Sequence, residues 1–103
     1  MKFLATLTPA AGRTMADFQP HIVAEEKVVW GMYLAGTVRE LYFQPEPLRV
    51  SLMFEAADRA EVETHLHTLP LIAAGLLDHD ITLLGPWRLF EALFDPAHHT
   101  AAH

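Results

Sequence analysis

Residues 37–55 read TVRELYFQPEPLRVSLMFE, and they set the topology of the whole chain. Two runs rich in β-branched and aromatic residues, 37–43 and 48–55, flank a four-residue connection that includes Pro45 and Pro47. Such runs favour strands, and a short proline-containing connection between them is typical of a hairpin. The stretch therefore predicts two adjacent antiparallel strands in the middle of the chain.

The segment before this hairpin predicts one strand and one helix. Residues 2–8 alternate apolar and more polar side chains, which is the period of a half-buried strand. Thr14 is a candidate helix N-cap with Asp17 three positions on, and Gly36 marks the expected end of this helix. Pro20 does not fit a helix interior, so we expect the regular part of the helix to begin only near this proline.

The segment after the hairpin predicts a second helix and a last strand. Asp58 is a candidate cap for a helix that carries Val62 and Leu66, and Pro70 should end it. A loop is then expected before a strand over 78–84. The element order is β-α-β-β-α-β, which predicts a ferredoxin-like α+β fold with two helices on one face of a four-stranded antiparallel sheet.

Composition limits the size and the partners of the protein. The 103 residues are enough for a single domain, and with 51% hydrophobic and 19% charged residues they predict a homo-oligomer that hides excess apolar surface. A net charge of −6 argues against nucleic acid or an anionic membrane as partner, and no apolar run is long enough for a membrane helix. The absence of Cys excludes disulfides and fits a cytoplasmic location.

Two apolar surfaces are candidates for contact between copies. Segment 87–94 is strongly apolar and has no place in the four-stranded unit, so we expect it to hold a partner subunit; packing on its own sheet edge is the alternative. We predict one domain, 1–94, a flexible tail, 95–103, and a homodimer or a ring of dimers. The second surface is the sheet face away from the helices, whose predicted members are Leu4, Thr6, Val38, Tyr42, Ser51, Met53, Thr82 and Leu84.

Glu25 is the residue of the first helix that most clearly indicates chemistry. A helical step of about 100° per residue places it in the apolar stripe, close to Phe18 and Val29. A carboxyl group in that position loses water, which raises its pKa toward the range useful for a general base. An ion pair, or a side chain that reaches the rim, is the alternative. His21 lies one turn earlier, where it could orient Glu25 or sit as an ordinary rim residue.

Two further side chains are predicted to converge on this helix. Arg39 shares a strand face with Leu41, so we expect it under the helices and directed toward Glu25. His79 shares a face with Ile81 and should enter the same space. A carboxylate, a guanidinium and an imidazole around an apolar pocket would suit a small organic acid, with Arg39 binding its carboxylate. A structural ion pair between Arg39 and Glu25 is the alternative.

Other kinds of site find little support. The His residues are too dispersed for a metal site: His65 and His67 diverge on one helix, and His98, His99 and His103 lie in the tail. There is no glycine-rich phosphate loop and no serine nucleophile motif, so we expect no metal and no cofactor. Trp30 and Tyr33 of the first helix are candidate substrate-binding residues. They fit core or rim packing better than a cofactor site, and their presence in the pocket would favour a monooxygenase or dehydratase.

Several short motifs occur in a familiar order and spacing. They are Ala16-Asp17-Phe18, Glu25, Gly36, Arg39-Glu40-Leu41-Tyr42 and Leu69-Pro70-Leu71, with Asp80-Ile81-Thr82-Leu83 after a small insertion. Across 16–71 the chain thereby resembles muconolactone isomerase, and Gly85-Pro86-Trp87 is similar to YCII-related proteins. The resemblance implies a ferredoxin-like unit that pairs through its sheets, in a dimeric α+β barrel. It also implies a cofactor-free isomerase of aromatic compound catabolism that moves a proton on an unsaturated lactone acid, with Glu25 as the glutamate of the first helix.

One departure from that pattern indicates a related but different substrate. Phe43 stands where a second basic residue is expected late in the second strand. Our leading hypothesis is a cofactor-free isomerase of a small carboxylated lactone or enol, with Glu25 as base, Arg39 as anion clamp and His21 or His79 assisting. A cofactor-free monooxygenase or dehydratase would instead favour an aromatic pocket. A non-catalytic binding or oligomerisation module would fill the space under the first helix with side chains.

Overall fold

A computed structural model describes residues 1–97 of the chain. These residues form strands and α-helices, with a 3₁₀ turn between the first two helices and a second 3₁₀ segment that ends at Phe94. In chain order the elements are β1 (Lys2–Pro9), α1 (Met15–Phe18), a 3₁₀ turn (Gln19–His21), α2 (Ile22–Leu34), β2 (Val38–Pro45), β3 (Leu48–Glu55), α3 (Arg59–His67), α4 (Pro70–Ala73), β4 (Leu77–Leu84) and a 3₁₀ segment (Leu89–Phe94).

The strands form one antiparallel sheet in the order β2-β3-β1-β4. β1 lies in the middle, where Leu7 pairs with Val50 of β3 on one side and with His79 of β4 on the other. Each half of the chain contributes a strand, a helical segment and a second strand, which is the split β-α-β arrangement. The predicted ferredoxin-like α+β fold is therefore confirmed, including the hairpin between β2 and β3.

The entry into the first helical region follows the sequence closely. The carboxylate Oδ2 of Asp17 accepts a hydrogen bond from the backbone N–H of Thr14 at 2.8 Å, the reciprocal half of a capping box. Pro20 lies in the 3₁₀ turn, so the region is divided into α1 and α2 instead of forming one continuous helix. Gly36 ends the region with a φ of +76°, a left-handed conformation that suits glycine.

The second helical region differs from the expected loop after Pro70. The side chain of Asp58 caps α3 by accepting from the N–H of Glu61 at 2.8 Å, as predicted. α3 ends at His67, and Pro70 then begins a new helix, because the fixed φ of proline suits the first helical position. The result is α4, a single turn that brings the buried side chains of Leu71 and Ile72 under the helices.

A β-bulge corrects one prediction about the sheet. The pairing of β2 with β3 shifts between Val38 and Glu40, so two residues of β2 oppose one residue of β3. Val38 thereby faces the core and is fully buried, although strand alternation placed it on the opposite face. From Glu40 onward the alternation agrees with the prediction, since Leu41 pairs with buried Leu52 and Tyr42 with Ser51.

The hydrophobic core lies between the helices and one sheet face. Its largest fully buried side chains come from both layers and are Phe54, Leu7, Leu52, Leu66, Leu69, Val38 and Val62. We call the opposite sheet face the open face. Along it, Leu4 pairs with Met53, Thr6 with Ser51 and Tyr42 with Ser51, and Tyr42 is 62% exposed. Leu4, Thr6, Ser51 and Met53 are half-buried on this face, and Thr82 and Leu84 are exposed.

Residues 87–94, which we call the arm, also remain open to solvent. Their large apolar side chains are 60–79% exposed, and the molecule as a whole measures 63 × 29 × 20 Å. The alternative that the arm packs on its own sheet edge is therefore not what the structure shows. Most of the predicted tail, 95–103, lies outside the described residues. Within 1–97, no helix has the length and apolar character needed to cross a membrane.

Candidate functional site

A cavity of about 250 Å³ opens between the first helical region and the β2–β3 side of the sheet. α1 and α2 lie above the cavity, the core face of the sheet lies below it, and the start of α4 closes one end. The residues that line it are Leu7, Met15, Phe18, Ile22, Glu25, Glu26, Val29, Leu41, Tyr42, Phe43, Leu48, Val50, Leu52, Leu71 and Leu77.

The edge strand β2 explains why this space is open. Leu41 and Phe43 face the helical layer as predicted, yet they are 38% and 66% exposed because neither helix reaches over the end of this strand. Phe18, by contrast, is 3% exposed and forms the inner aromatic wall. The cavity is therefore apolar and aromatic inside and accessible from the β2 edge, which is the usual character of a small-molecule site.

Glu25 is the one buried charged residue of the described chain, at 5% exposure. Its position in α2 follows from the helical period, as predicted, since it points to the same side as Val29 and lines the cavity. Its Oε1 accepts a hydrogen bond from the backbone N–H of Leu71 at 3.0 Å. Leu71 is the second residue of α4, where the N–H groups of the first turn have no partner within their own helix.

The second carboxyl oxygen of Glu25 differs from the first in its surroundings. No hydrogen bond to Oε2 is present within residues 1–97, while every fully buried side-chain oxygen or nitrogen in that range has a partner. Oε2 is therefore not fully enclosed by protein, and the cavity is the space that Glu25 lines. Because Oε1 is held by Leu71, Oε2 is the carboxyl oxygen of Glu25 that has no hydrogen-bond partner within residues 1–97.

The surroundings of Glu25 favour its protonated form. Burial raises the pKa of its carboxyl above the ordinary value, and the hydrogen bond from Leu71 lowers the pKa less than burial raises it. The negative charge of Glu26 raises the pKa further, and His21 lowers it. A raised pKa makes the carboxylate a stronger base when it is deprotonated, and it brings the group closer to neutral pH.

His21 and Glu26 lie on either side of Glu25 in sequence. His21 is half-buried at the start of α2 and does not line the cavity, so it acts on Glu25 through its charge alone. Glu26 is exposed, in agreement with the prediction that it is solvated, but it also lines the cavity. A second carboxylate therefore stands at the rim of the site.

The expectation that Arg39 points toward Glu25 is wrong. Its Nε donates to the backbone carbonyl of Gly36 at 2.8 Å, beyond the C-terminal end of α2, whereas Glu25 lies in the first turn of that helix. Arg39 lies in the β-bulge, where the alternation of side chains is interrupted. The structural ion pair between Arg39 and Glu25 is absent for the same reason, and Arg39 does not line the cavity.

His79 faces the helical layer as predicted but meets the other helix. Its Nε2 lies 3.0 Å from Oε2 of Glu63 on α3, and its ring packs edge-on against His67 with centroids 5.7 Å apart. β4 is the edge strand on the α3 side of the sheet, so a residue on its core face cannot reach α2. Within the described part of the chain, no group of three or more His, Cys, Asp or Glu is placed to hold a metal ion.

Trp30 and Tyr33 lie on the outer side of α2. Their rings stack with centroids 5.9 Å apart and remain 60% and 47% exposed. Neither residue lines the cavity. The aromatic walls come instead from Phe18 and Phe43, which sequence reasoning had assigned only to packing or to the sheet.

Leu71 is the functional position that sequence reasoning missed. Its contribution is a backbone N–H, so no side-chain pattern marks it. Pro70 is the available signal, because a proline at the first position of a helix predicts free N–H groups immediately after it. The sequence alone does not show that these groups face Glu25.

Comparison with known proteins supports the fold. No family model matches the chain, and no curated protein matches it closely. Its fold is similar to that of 5-chloro-2-hydroxyhydroquinone dehydrochlorinase of Burkholderia phenoliruptrix, solved in complex with 2,5-dihydroxybenzoquinone. The TM-score is 0.70, with 14% identity, over 84% of this chain and 96% of that chain. At this identity the similarity shows the ferredoxin-like α+β fold and nothing finer.

Proposed function

We propose that this protein is a small cofactor-free isomerase that shifts a proton on a cyclic carbonyl or enol compound, with Glu25 as the proton carrier. The observation that carries the proposal is the buried carboxyl of Glu25 in a largely apolar cavity, with Oε1 held by Leu71 and Oε2 without a partner among residues 1–97. Burial and a single anchoring hydrogen bond are what a carboxyl base needs to be both oriented and reactive.

The proton balance of such a reaction requires one group only. Oε2 of the deprotonated Glu25 takes a proton from a carbon next to a carbonyl, and the electron pair of the broken C–H bond moves into an enolate. The same carboxyl then returns the proton to a different carbon of the conjugated system. The double bond has moved, Glu25 is again deprotonated, and no oxidant, reductant or cofactor is consumed.

The open cavity argues against a purely structural role for Glu25. A non-catalytic module would be expected to fill the space under α2 with side chains, whereas about 250 Å³ remains open there. The alternative ion pair with Arg39 is also absent, because Arg39 is bound to Gly36. In the proposal His21 lowers the pKa of Glu25 through its charge. Four other residues have no role in the chemistry because they lie outside the cavity: Arg39, His79, Trp30 and Tyr33.

A cofactor-free elimination is the second candidate. The observation that favours it is the aromatic wall of Phe18 and Phe43, together with a fold neighbour that is a dehydrochlorinase. Elimination begins with the same proton removal by Glu25, but the electron pair then expels a leaving group. Departing hydroxide takes the proton from Glu25 and leaves as water; when chloride departs, Glu25 releases its proton to solvent. The two candidates differ in product, since isomerisation conserves the atoms of the substrate and elimination releases a small molecule.

We also propose that the protein works as a homodimer or a ring of dimers. The open face carries Leu4, Met53 and Tyr42, and the arm exposes further large apolar side chains. Exposed apolar surface on this scale is unusual for a small monomer and typical of an interface between subunits. A second copy that covers the open face would form the paired sheets of an α+β barrel.

Hydrogen–deuterium exchange into a panel of enolisable ring compounds tests the catalytic proposal. We expect the protein to accelerate exchange at carbons next to the carbonyl in deuterated buffer, as measured by proton NMR. Glu25→Gln keeps the shape of the side chain but cannot accept the proton, so it should slow exchange by about 10²-fold or more. Glu63→Gln, a matched change on α3, should leave the exchange rate unchanged. Equal rates for Glu25→Gln and the unmodified protein would refute the role of Glu25.

A further inference from the structure

The charged side chains that line the cavity are all acidic. Glu25 and Glu26 both line it, and within residues 1–97 no Lys, Arg or His does so. The guanidinium of Arg39, predicted to neutralise an acidic substrate, is held at the far end of α2 by Gly36. Building on the proposed function, we infer that the site takes an uncharged single-ring compound and rejects the corresponding carboxylate.

The physical argument concerns what an anion would meet on entering. A carboxylate that leaves water for an apolar cavity loses its hydration and needs a cation or several donors in exchange. Here it would meet hydrocarbon walls, two acidic side chains and Tyr42, whose hydroxyl already donates to the carboxylate of Glu40. The one backbone donor known at the site, the N–H of Leu71, is already bound to Oε1 of Glu25. A neutral ring carries none of this cost and gains from contact with Phe18 and Phe43.

The size of the cavity sets the second limit. A cavity of about 150 Å³ lined by hydrocarbon side chains is enough to hold benzene. The cavity here has about 250 Å³, which is room for one ring with small substituents. A hydroxyl or an acidic C–H on that ring would meet Glu25 through Oε2, the acceptor that has no partner within residues 1–97.

The inferred preference for a neutral ligand also differs from the sequence prediction of a site that binds a carboxylate. A carboxylated lactone would place its acid group against Glu26 at the rim or against the apolar wall of Leu41 and Phe43. Neither position offers a positive charge. The sequence position at which a basic residue was expected, Phe43, is part of the aromatic wall and agrees with a neutral ligand.

Matched neutral and anionic probes test the inference. A dihydroxybenzamide and the dihydroxybenzoate of the same substitution pattern have nearly the same shape and differ in charge at neutral pH. We expect ligand-observed NMR titration to show that the amide binds at least about ten times more tightly than the acid. Glu26→Gln should narrow this ratio by weakening the repulsion of the acid, while Glu63→Gln, far from the cavity, should leave the ratio unchanged.

The outcomes separate this inference from the proposed function. Tighter binding of the benzoate, or no measurable binding of either probe, overturns the inference; the first result would mean that a second copy of the chain supplies a cation. Binding of the amide without any proton exchange in the panel of ring compounds supports the inference and sinks the isomerase proposal. Exchange confined to acidic compounds supports the isomerase proposal and overturns the inference of a neutral ligand.

Discussion

The backbone N–H of Leu71 donates a hydrogen bond to Oε1 of Glu25 at 3.0 Å, joining α4 to α2 across 46 positions of the sequence. This bond fixes the carboxyl plane of a residue that would otherwise rotate in an apolar space. It also partly offsets the cost of burying the group, although burial remains the larger effect on the pKa of Glu25. The orientation and the reactivity of Glu25 thus depend on the same short helix.

The amide of Leu71 should report the protonation of Glu25. Because the two groups are hydrogen-bonded, loss of the carboxyl proton should shift the Leu71 amide resonance, with a midpoint above the ordinary carboxyl value of 4.5. A pH titration followed by amide NMR measures this midpoint. The amide of Ala73, bound to the carbonyl of Leu69, is the internal control. A midpoint at or below 4.5 would contradict the effect of burial, and Glu25→Gln should abolish the transition.

Glu25 should make the protein less stable as the pH rises. A carboxyl whose pKa is raised in the folded state binds protons more tightly there than in the unfolded chain. Its stabilising contribution is complete below 4.5, the ordinary value, and is lost as the pH rises through the folded-state pKa. Glu25→Gln retains an oxygen for Leu71 and carries no charge. At neutral pH the variant should therefore melt at the same or a higher temperature than the unmodified protein, as measured by thermal unfolding.

The stability comparison needs an exposed control. Glu26→Gln removes a neighbouring charge from a solvated side chain, so its melting temperature should follow that of the unmodified protein closely. Destabilisation of Glu25→Gln by about 3 kcal/mol at neutral pH would show instead that the buried charge is a structural requirement. The site would then lose its strongest argument for catalysis.

Filling the cavity with a larger side chain should weaken ligand binding without destabilising the fold. Val29 lines the cavity from α2, so Val29→Phe places a ring where a ligand would lie. The variant should keep or raise its melting temperature, because the added ring occupies open space, and it should bind the neutral benzamide at least about ten times more weakly. Val23→Phe, on the exposed side of the same helix, should bind as the unmodified protein does. Undiminished binding by Val29→Phe would place the ligand elsewhere.

The fold could be predicted because its signals are local. Strand alternation, the capping pair of Thr14 and Asp17, and the prolines at helix boundaries each act within a few residues, and the structure confirms them. The burial of Glu25 followed from the helical period for the same reason. Such features need no knowledge of the rest of the chain.

The contact partners of the site side chains could not be predicted, because they depend on how segments far apart in the sequence pair with one another. The bulge at Arg39 arises from how β2 pairs with β3, and one extra residue there is enough to bury Val38 and to remove Arg39 from the site. The parity of His79 was correct, but only the strand order shows that β4 lies beneath α3. The contact of Glu25 with Leu71 joins two helices through a backbone N–H. Pro70 signals that this N–H is free, but nothing local shows that it faces Glu25.

Removing the arm should weaken assembly of the protein. Large apolar side chains each contribute on the order of 1.5–3 kcal/mol when they become buried, and the arm exposes Trp87, Leu89, Phe90, Leu93 and Phe94. Static light scattering of the full chain should give a homodimer or a multiple of it at micromolar concentration. A chain that ends at Pro86 should dissociate to smaller species at the same concentration.

The truncation must leave the domain folded for this result to count. None of the buried core residues lies in the arm, so circular dichroism should show unchanged secondary structure, apart from the loss of one 3₁₀ segment. A chain shortened only by 95–103 is the matched control and should assemble normally. If the chain ending at Pro86 keeps its oligomeric mass, the open face alone holds the subunits together. If the full chain is a monomer, the exposed arm and the open face serve some contact other than self-association.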